Sequence, residues 1–134
     1  MIRDAHILVR ALREPESVER LDGGQWSELI SIARAESLIG SLAHRLADVP
    51  VPDRVRAVLQ DAIGAHDLAR QQALWEADCA QRALAGYPGK IVLMKGTAYV
   101  AADLAAGVGR SIGDLDIMVA RDDLPIVESA LLDA

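Results

Sequence analysis

The pattern of apolar residues in this chain changes at the turn segment Gly86–Gly89. Before it, apolar residues recur at the three- and four-residue spacing of amphipathic helices. After it, Ile91–Met94 is a short, continuously apolar run flanked by turn residues, which is typical of a strand buried on both faces. We therefore expect an α+β chain with a helical region over residues 1–86 and the strands within residues 87–134.

Apolar stripes before the turn predict a series of helices separated by proline and glycine. The breaks are expected at Glu14-Pro15, at Asp22–Gly24 and at Val49–Pro52. Asp53 is a plausible N-cap for one long helix or two nearly collinear ones, in which Gly64 is the weakest point. The predicted stripes are Ile2, Ala5, Val9 and Leu12; Trp26, Leu29, Ile30 and Ala33; Leu38, Leu42 and Leu46; and Val55, Val58, Leu59, Ala62, Ile63, Ala69 and Ala73.

The region after the turn predicts the order β-α-β-α. A helix over Thr97–Ala106 ends at Gly107, and a glycine-rich loop leads to a second strand over Asp114–Val119. Asp122-Asp123 then caps a last helix that has Pro125 in its first turn. Since two strands do not form a stable sheet alone, this core is incomplete, and either a second copy of the chain or a further part of it is expected to complete the sheet.

Charge and composition exclude several classes of protein. The formal net charge of −6 is spread over the chain, and no basic stripe indicates non-specific binding of nucleic acid. No apolar stretch is long enough for a membrane span, and Met1–His6 does not resemble the start of a signal peptide, so we expect a cytoplasmic protein. Cys79 is the single cysteine, which excludes a disulfide framework or a paired-cysteine zinc site within one chain.

The turn after the first predicted strand has the residues of a phosphate-binding corner. Gly96 lies at the end of the strand, directly before a helix, so a phosphate can approach its backbone closely. Thr97 adds a hydroxyl at the same corner, and Lys95 adds a cation. The spacing therefore favours an anionic ligand such as a triphosphate.

Two carboxylates on the second predicted strand favour a metal ion. Asp114 and Asp116 are two residues apart, so strand geometry is expected to point both side chains to one face. Such a pair repels unless a cation lies between its members, and Mg²⁺ favours one or two carboxylates together with phosphate oxygens. Arg110 is a further cation within reach of the triphosphate.

The three histidines have no spacing typical of metal ligands. His6, His44 and His66 are predicted to lie on separate helices, and we interpret each as a surface histidine or as a core histidine with satisfied hydrogen bonds. The sequence thus predicts ligand-binding residues after the turn segment and no metal site in the helical region.

At the turn and the carboxylate pair the sequence resembles the nucleotidyltransferase superfamily, typified by DNA polymerase beta, minimal nucleotidyltransferase antitoxins and aminoglycoside nucleotidyltransferases. The shared signature is Gly-Gly or Gly-Ser at a strand-to-helix turn, followed by Asp-x-Asp at the next strand. A poorly characterised bacterial branch is more similar, and the resemblance is specific over residues 91–133. The residues that resemble this branch are Met94–Gly96, Arg110, Asp114–Asp116, Ile117–Val119 and Asp122-Asp123.

The resemblance implies a Mg²⁺-dependent transfer of a nucleoside monophosphate from an NTP to an acceptor, with pyrophosphate as the leaving group. It implies no particular acceptor and no particular base. In this interpretation Asp114 and Asp116 are the catalytic and metal-binding residues, and the nucleotide-binding residues are Lys95, Gly96, Thr97 and Arg110.

The superfamily also uses a third carboxylate on a following strand, and no such strand is predicted in this sequence. We therefore expect the isolated chain to transfer no nucleotide. Two alternatives stay open. One is a catalytically degenerate module that binds a nucleotide or a partner protein, and the other is an all-helical interaction domain with an incidental hairpin-like tail. A following strand that carries Asp or Glu would favour the enzyme over the module.

Overall fold

The computed structural model describes residues 5–134 and confirms the α+β class, with helices predominating over one small sheet. Short 3₁₀ helices cover Pro15–Arg20, Ala105–Gly107 and Arg121–Asp123. The main elements are α1 (His6–Arg13), α2 (Gly23–Ala35), α3 (Ile39–Arg45), α4 (Asp53–Ala83), β1 (Val92–Met94), α5 (Lys95–Ala101), β2 (Asp116–Met118) and α6 (Leu124–Leu132).

The chain packs as two compact units. The first contains the chain up to Asp67 together with Val108–Ser111, and the second contains Leu68–Gly107 and Ile112–Ala134. The long helix α4 contributes residues to both units. The division between residues 86 and 87, which follows the change of sequence pattern, stays a prediction.

The core of the first unit is an aliphatic cluster in which Leu29, Leu42 and Leu46 are completely buried. Most of the stripe predicted for α2 is confirmed by the buried residues of that helix. Asp22 starts α2 through a capping box, since its Oδ1 accepts from Gln25 N–H at 2.9 Å and Gln25 Oε1 accepts from Asp22 N–H at 3.0 Å. The segment predicted as a break is therefore the start of a helix.

The buried face of α1 differs from the predicted one. Leu8 and Ala11 are buried, whereas Val9 is 50% exposed. Two stripes of this short helix satisfy helical spacing, and packing in the first unit selects the one that contains Leu8. Ile2, which was assigned to the other stripe, lies outside the described residues.

The helix α4 runs without interruption over 31 residues from Asp53. This resolves the choice between one helix and two. Gly64 lies inside α4, and a Cβ added there would meet no atom within 4 Å. Within residues 5–134 the structure contains no helix that combines the length and the apolar character of a membrane span.

The sheet of the second unit consists of β1 and β2 in antiparallel order. Leu93 pairs with Ile117, and both are half-buried. The neighbouring pair on the opposite face, Val92 and Met118, is 46% and 52% exposed. The prediction that the first strand is buried on both faces is therefore wrong, because the described elements cover only the face that contains Leu93.

The second strand and α5 have other bounds than predicted. The second strand begins at Asp116 instead of Asp114, and α5 ends at Ala101 before a separate 3₁₀ turn. Asp123 precedes α6 without a side-chain cap, while Pro125 occupies the first turn as predicted. Asp123 ends a 3₁₀ turn and has helical dihedral angles (φ −93°, ψ −5°) instead of the extended ones of an N-cap. Its carboxylate accepts a hydrogen bond from Tyr87 Oη at 2.6 Å.

The Tyr87–Asp123 bond predicts a pH dependence of stability. The hydrogen bond, together with burial and the carboxylate charge, raises the pKa of Tyr87 above its usual 10.0. The folded chain therefore retains the phenol proton more tightly than the unfolded chain, so this stabilisation is complete below pH 10.0 and is lost as pH rises through the raised pKa. We expect the melting temperature of the parent to exceed that of Tyr87→Phe below this pH and the two values to converge above it. A difference in melting temperature between the parent and Tyr87→Phe that stays constant as pH rises would contradict the assignment.

Candidate functional site

The turn at the end of β1 has an unusual backbone conformation. Lys95 has a φ of 55°, in the left-handed region that non-glycine residues rarely adopt. The next two residues are buried, and Thr97 is only 1% exposed. Backbone strain of this kind is concentrated at functional sites, which makes the turn a candidate for ligand contact.

Lys95 forms an ion pair with the carboxylate that begins β2. Its Nζ lies 3.3 Å from Asp116 Oδ1. The antiparallel register explains the contact, because Asp116 pairs with Met94, the residue directly before Lys95. The Lys95 side chain is 65% exposed and that of Asp116 is 36% exposed. An exposed pair of this kind contributes about 0.2–1 kcal/mol, so a ligand can replace it with little loss of free energy.

Asp114 lies outside the second strand, and its main chain contacts Thr97. It lies in the loop before β2 and is exposed. Its carbonyl oxygen accepts a hydrogen bond from Thr97 Oγ1 at 3.5 Å. The hydroxyl expected at the phosphate corner thus joins the buried start of α5 to the loop that carries Asp114. A direct role of Thr97 in nucleotide binding stays a prediction.

Five of the six predicted site residues lie in the second unit. The structure shows direct contacts between Lys95 and Asp116 and between Thr97 and Asp114. Gly96 lies between Lys95 and Thr97 in the turn. The sixth residue, Arg110, is exposed and belongs to the segment Val108–Ser111 of the first unit.

The part of the chain that contains all six residues also matches a known family. A family model described as uncharacterised nucleotidyltransferase matches residues 22–134. The chain belongs to this family. The resemblance inferred from the Lys-Gly-Thr turn and the Asp-x-Asp pair is confirmed at that level, while membership of a bacterial branch stays a prediction. Searches of curated proteins and of solved structures give no match.

The carboxylate oxygens of Asp114 and Asp116 fit a hard divalent cation. Nucleotidyltransferases generally use an NTP and a divalent metal ion. Asp114 and Asp116 offer carboxylate oxygens at the surface, which Mg²⁺ prefers when phosphate oxygens and water supply the remaining positions. The ammonium group of Lys95 already places positive charge beside Asp116. The chemistry of the two residues therefore fits a divalent metal ion of the kind that nucleotidyltransferases generally use.

The strain at Lys95 can be measured with two substitutions that both remove the ammonium group. We expect Lys95→Gly to be more stable than Lys95→Ala by about 1 kcal/mol, because glycine adopts a positive φ without steric strain and alanine does not. Denaturant unfolding of both variants gives this difference. Equal stability, or a more stable alanine variant, would show that the turn is unstrained.

The first unit contains a second polar cluster, which the spacing of the histidines in the sequence does not indicate. The potential ligand atoms of His44, His66 and Asp67 lie within 4.8 Å of one another. However, His66 Nε2 accepts from Gly109 N–H at 3.1 Å, and His66 Nδ1 lies 3.3 Å from Arg110 O. Metal binding needs a free lone pair, and both ring nitrogens of His66 are engaged. The prediction of a core histidine with satisfied hydrogen bonds is thus confirmed for His66.

Proposed function

We propose that this nucleotidyltransferase binds an NTP with Mg²⁺ at Asp114 and Asp116, as the nucleotide side of a site that transfers a nucleoside monophosphate. The contact between Lys95 and Asp116 carries the proposal, because it joins the strained turn of β1 to the carboxylate of β2. When bound, Mg²⁺ would supply positive charge to the triphosphate and to the departing pyrophosphate.

The residues of the turn have separate roles in this proposal. Asp114 and Asp116 would hold the metal, and Lys95 would turn from Asp116 towards the phosphates of the nucleotide. The exposed ion pair makes this exchange inexpensive in free energy. Gly96 lets the phosphates approach the main chain, and Thr97 maintains the connection to the loop of Asp114. The role of Arg110, which belongs to the first unit, as a further cation for the triphosphate stays a prediction from the sequence.

Among the described strands and the loop before β2, the carboxylates of the proposed site are those that would hold the metal. Within residues 5–134, the strand β1 carries no carboxylate, and no strand follows β2. Asp123 already accepts a hydrogen bond from Tyr87. The third carboxylate implied by the superfamily therefore has no counterpart among the described strands. A nucleotide-binding module without transfer activity is the second candidate function.

We expect the 134-residue chain to bind ATP in the presence of Mg²⁺ without releasing pyrophosphate. Calorimetric titration with ATP, in Mg²⁺ and in excess EDTA, measures the first part. A coupled pyrophosphate assay with sugars, nucleotides and proteins as acceptors measures the second part. Binding that is equally strong in EDTA would overturn the proposed metal site, and pyrophosphate release by the chain would show that a complete catalytic set is present.

A further inference from the structure

The backbone of the second unit places Lys95 beside Asp116. Met94 pairs with Asp116 across the sheet, so Lys95 begins directly beyond that pair. Its φ of 55° is a strained conformation for a lysine, and the two buried residues Gly96 and Thr97 follow it. The ammonium nitrogen then lies 3.3 Å from Asp116 Oδ1. The contact therefore depends on the main chain of the turn as well as on the long side chain of Lys95.

The ammonium group and a divalent cation compete for the same carboxylate. Asp114 and Asp116 together carry two negative charges, and Lys95 offsets one of them. A cation that approaches Asp116 is repelled by Lys95, because like charges a few ångströms apart interact strongly near a protein surface. Mg²⁺ also loses its water ligands reluctantly. A hydrated ion that gains only carboxylate oxygens therefore has little advantage over the ion pair that it must break.

A triphosphate changes this competition. The side chain of Lys95 is 65% exposed, so it can leave Asp116 without opening a packed contact. The phosphate oxygens offer ligands to the cation and a partner of opposite charge to the ammonium group. Because an exposed ion pair contributes little free energy, the exchange of Asp116 for a phosphate group costs little. Release of the Asp116 carboxylate is thus linked to the arrival of the triphosphate.

We propose that Lys95 makes the binding of a divalent cation at Asp114 and Asp116 dependent on the nucleotide. This inference rests on the proposed binding of NTP with Mg²⁺ and adds its regulation. Without nucleotide, Lys95 keeps the cation from Asp116, and with nucleotide it pairs with the phosphates instead. Each ligand then favours binding of the other, and this coupling is reciprocal. Lys95, Asp114 and Asp116 all belong to the second unit.

Lys95→Met tests the proposal, because it removes the charge and retains the length of the side chain and the Cβ at the strained position. We expect this variant to bind Mn²⁺ alone about three- to tenfold more tightly than the parent and to bind ATP with Mg²⁺ about three- to tenfold more weakly. Broadening of the Asp114 and Asp116 amide signals measures the first affinity, and calorimetric titration measures the second. Both are measured at low ionic strength, where charges at the surface are least screened. Lys95→Arg, which retains the charge, should keep both affinities near those of the parent.

The matched control is Lys90→Met, which removes the other lysine of the chain. Lys90 is exposed and belongs to the same unit, so its loss changes the net charge equally. The control should change neither affinity. An affinity for Mn²⁺ alone that rises equally in both methionine variants would overturn the proposal. So would an affinity for Mn²⁺ alone that does not rise in Lys95→Met.

A double-mutant cycle tests whether Lys95 acts through Asp116. In the Asp116→Asn background, Lys95→Met should no longer raise the affinity for Mn²⁺ alone, because the carboxylate for which the two cations compete is gone. A rise of the same size in both backgrounds would overturn the proposed competition.

Titrations with and without nucleotide distinguish failure of the regulation from failure of the proposed function. If the parent binds ATP with Mg²⁺ and Lys95→Met changes neither affinity, the proposed function stands and the regulation by Lys95 is overturned. If the parent does not bind ATP with Mg²⁺, the proposed function and the dependence on nucleotide both fail. The titrations with Mn²⁺ alone then still decide whether Lys95 keeps a divalent cation from Asp116.

Discussion

Replacing Asp114 and Asp116 together by asparagine is expected to abolish the Mg²⁺-dependent part of ATP binding. Asparagine retains the size of each side chain but removes the negative charges that hold a hard cation. Even groups that only support metal ligands typically change affinity by about 10- to 100-fold when they are removed, so loss of both ligands should lower affinity at least that much. Calorimetric titration of the variant, in Mg²⁺ and in EDTA, measures the effect.

The matched control is Asp122→Asn combined with Glu128→Gln. Both residues are exposed and belong to the second unit, and their replacement changes the net charge by the same amount. The control should bind ATP with Mg²⁺ as the parent does. If the two double variants lose affinity equally, the effect is one of general charge, and the metal site is not at Asp114 and Asp116.

Gly109→Ala is expected to lower the free energy of unfolding by about 2–5 kcal/mol. The positive φ of Gly109, 70°, contributes about 1–2 kcal/mol of strain, and the forced displacement of Gly40 contributes about 1–3 kcal/mol. Gly40→Ala should also destabilise the chain, although alanine favours a helix, because the added methyl group would meet the carbonyl oxygen of Gly109. Urea or guanidinium unfolding measures both effects.

Gly64→Ala and Gly113→Ala are the matched controls for these substitutions. Neither site has an atom within 4 Å of an added Cβ. Gly64→Ala should stabilise the chain by about 0.5–1 kcal/mol, since the glycine lies inside α4. Gly113→Ala should have little effect. If Gly109→Ala is as stable as Gly113→Ala, the close contact between the two main chains does not exist in solution.

Much of the helical organisation could be predicted from periodicity alone. The stripe of α2 and the uninterrupted pattern of α4 each fit one face of a helix, and the structure agrees. For α1 the pattern was ambiguous, because a helix of eight residues offers more than one stripe with helical spacing. Tertiary packing makes that choice, and periodicity contains no information about the packing partner.

The sequence pattern predicts both strands but not which of their faces are exposed. A continuous apolar run such as Ile91–Met94 usually indicates burial on both faces. Within residues 5–134 the sheet has two antiparallel strands, and Val92, Met94 and Met118 remain exposed on one face. Completion of this sheet by a second copy or by further chain stays a prediction.

The candidate site was predicted from local sequence, and its residue roles stay proposals. The turn and the carboxylate pair could be identified because each lies within a few residues of sequence, and the family match covers both. The left-handed φ of Lys95 could not be predicted, since non-glycine residues rarely adopt it. The contact of His66 with Gly109 joins residues more than forty positions apart and has no signal in local spacing.

Paramagnetic broadening by Mn²⁺ with ATP is the measurement that tests the proposed site most directly. Mn²⁺ accepts the same carboxylate and phosphate oxygens as Mg²⁺, and it broadens the amide signals of nearby residues. We predict that substoichiometric Mn²⁺ with ATP first broadens the signals of Lys95–Thr97 and Asp114–Asp116, and that excess Mg²⁺ reverses the effect. Broadening that begins at His44 and His66, or that affects all exposed acidic residues equally, would contradict the proposal.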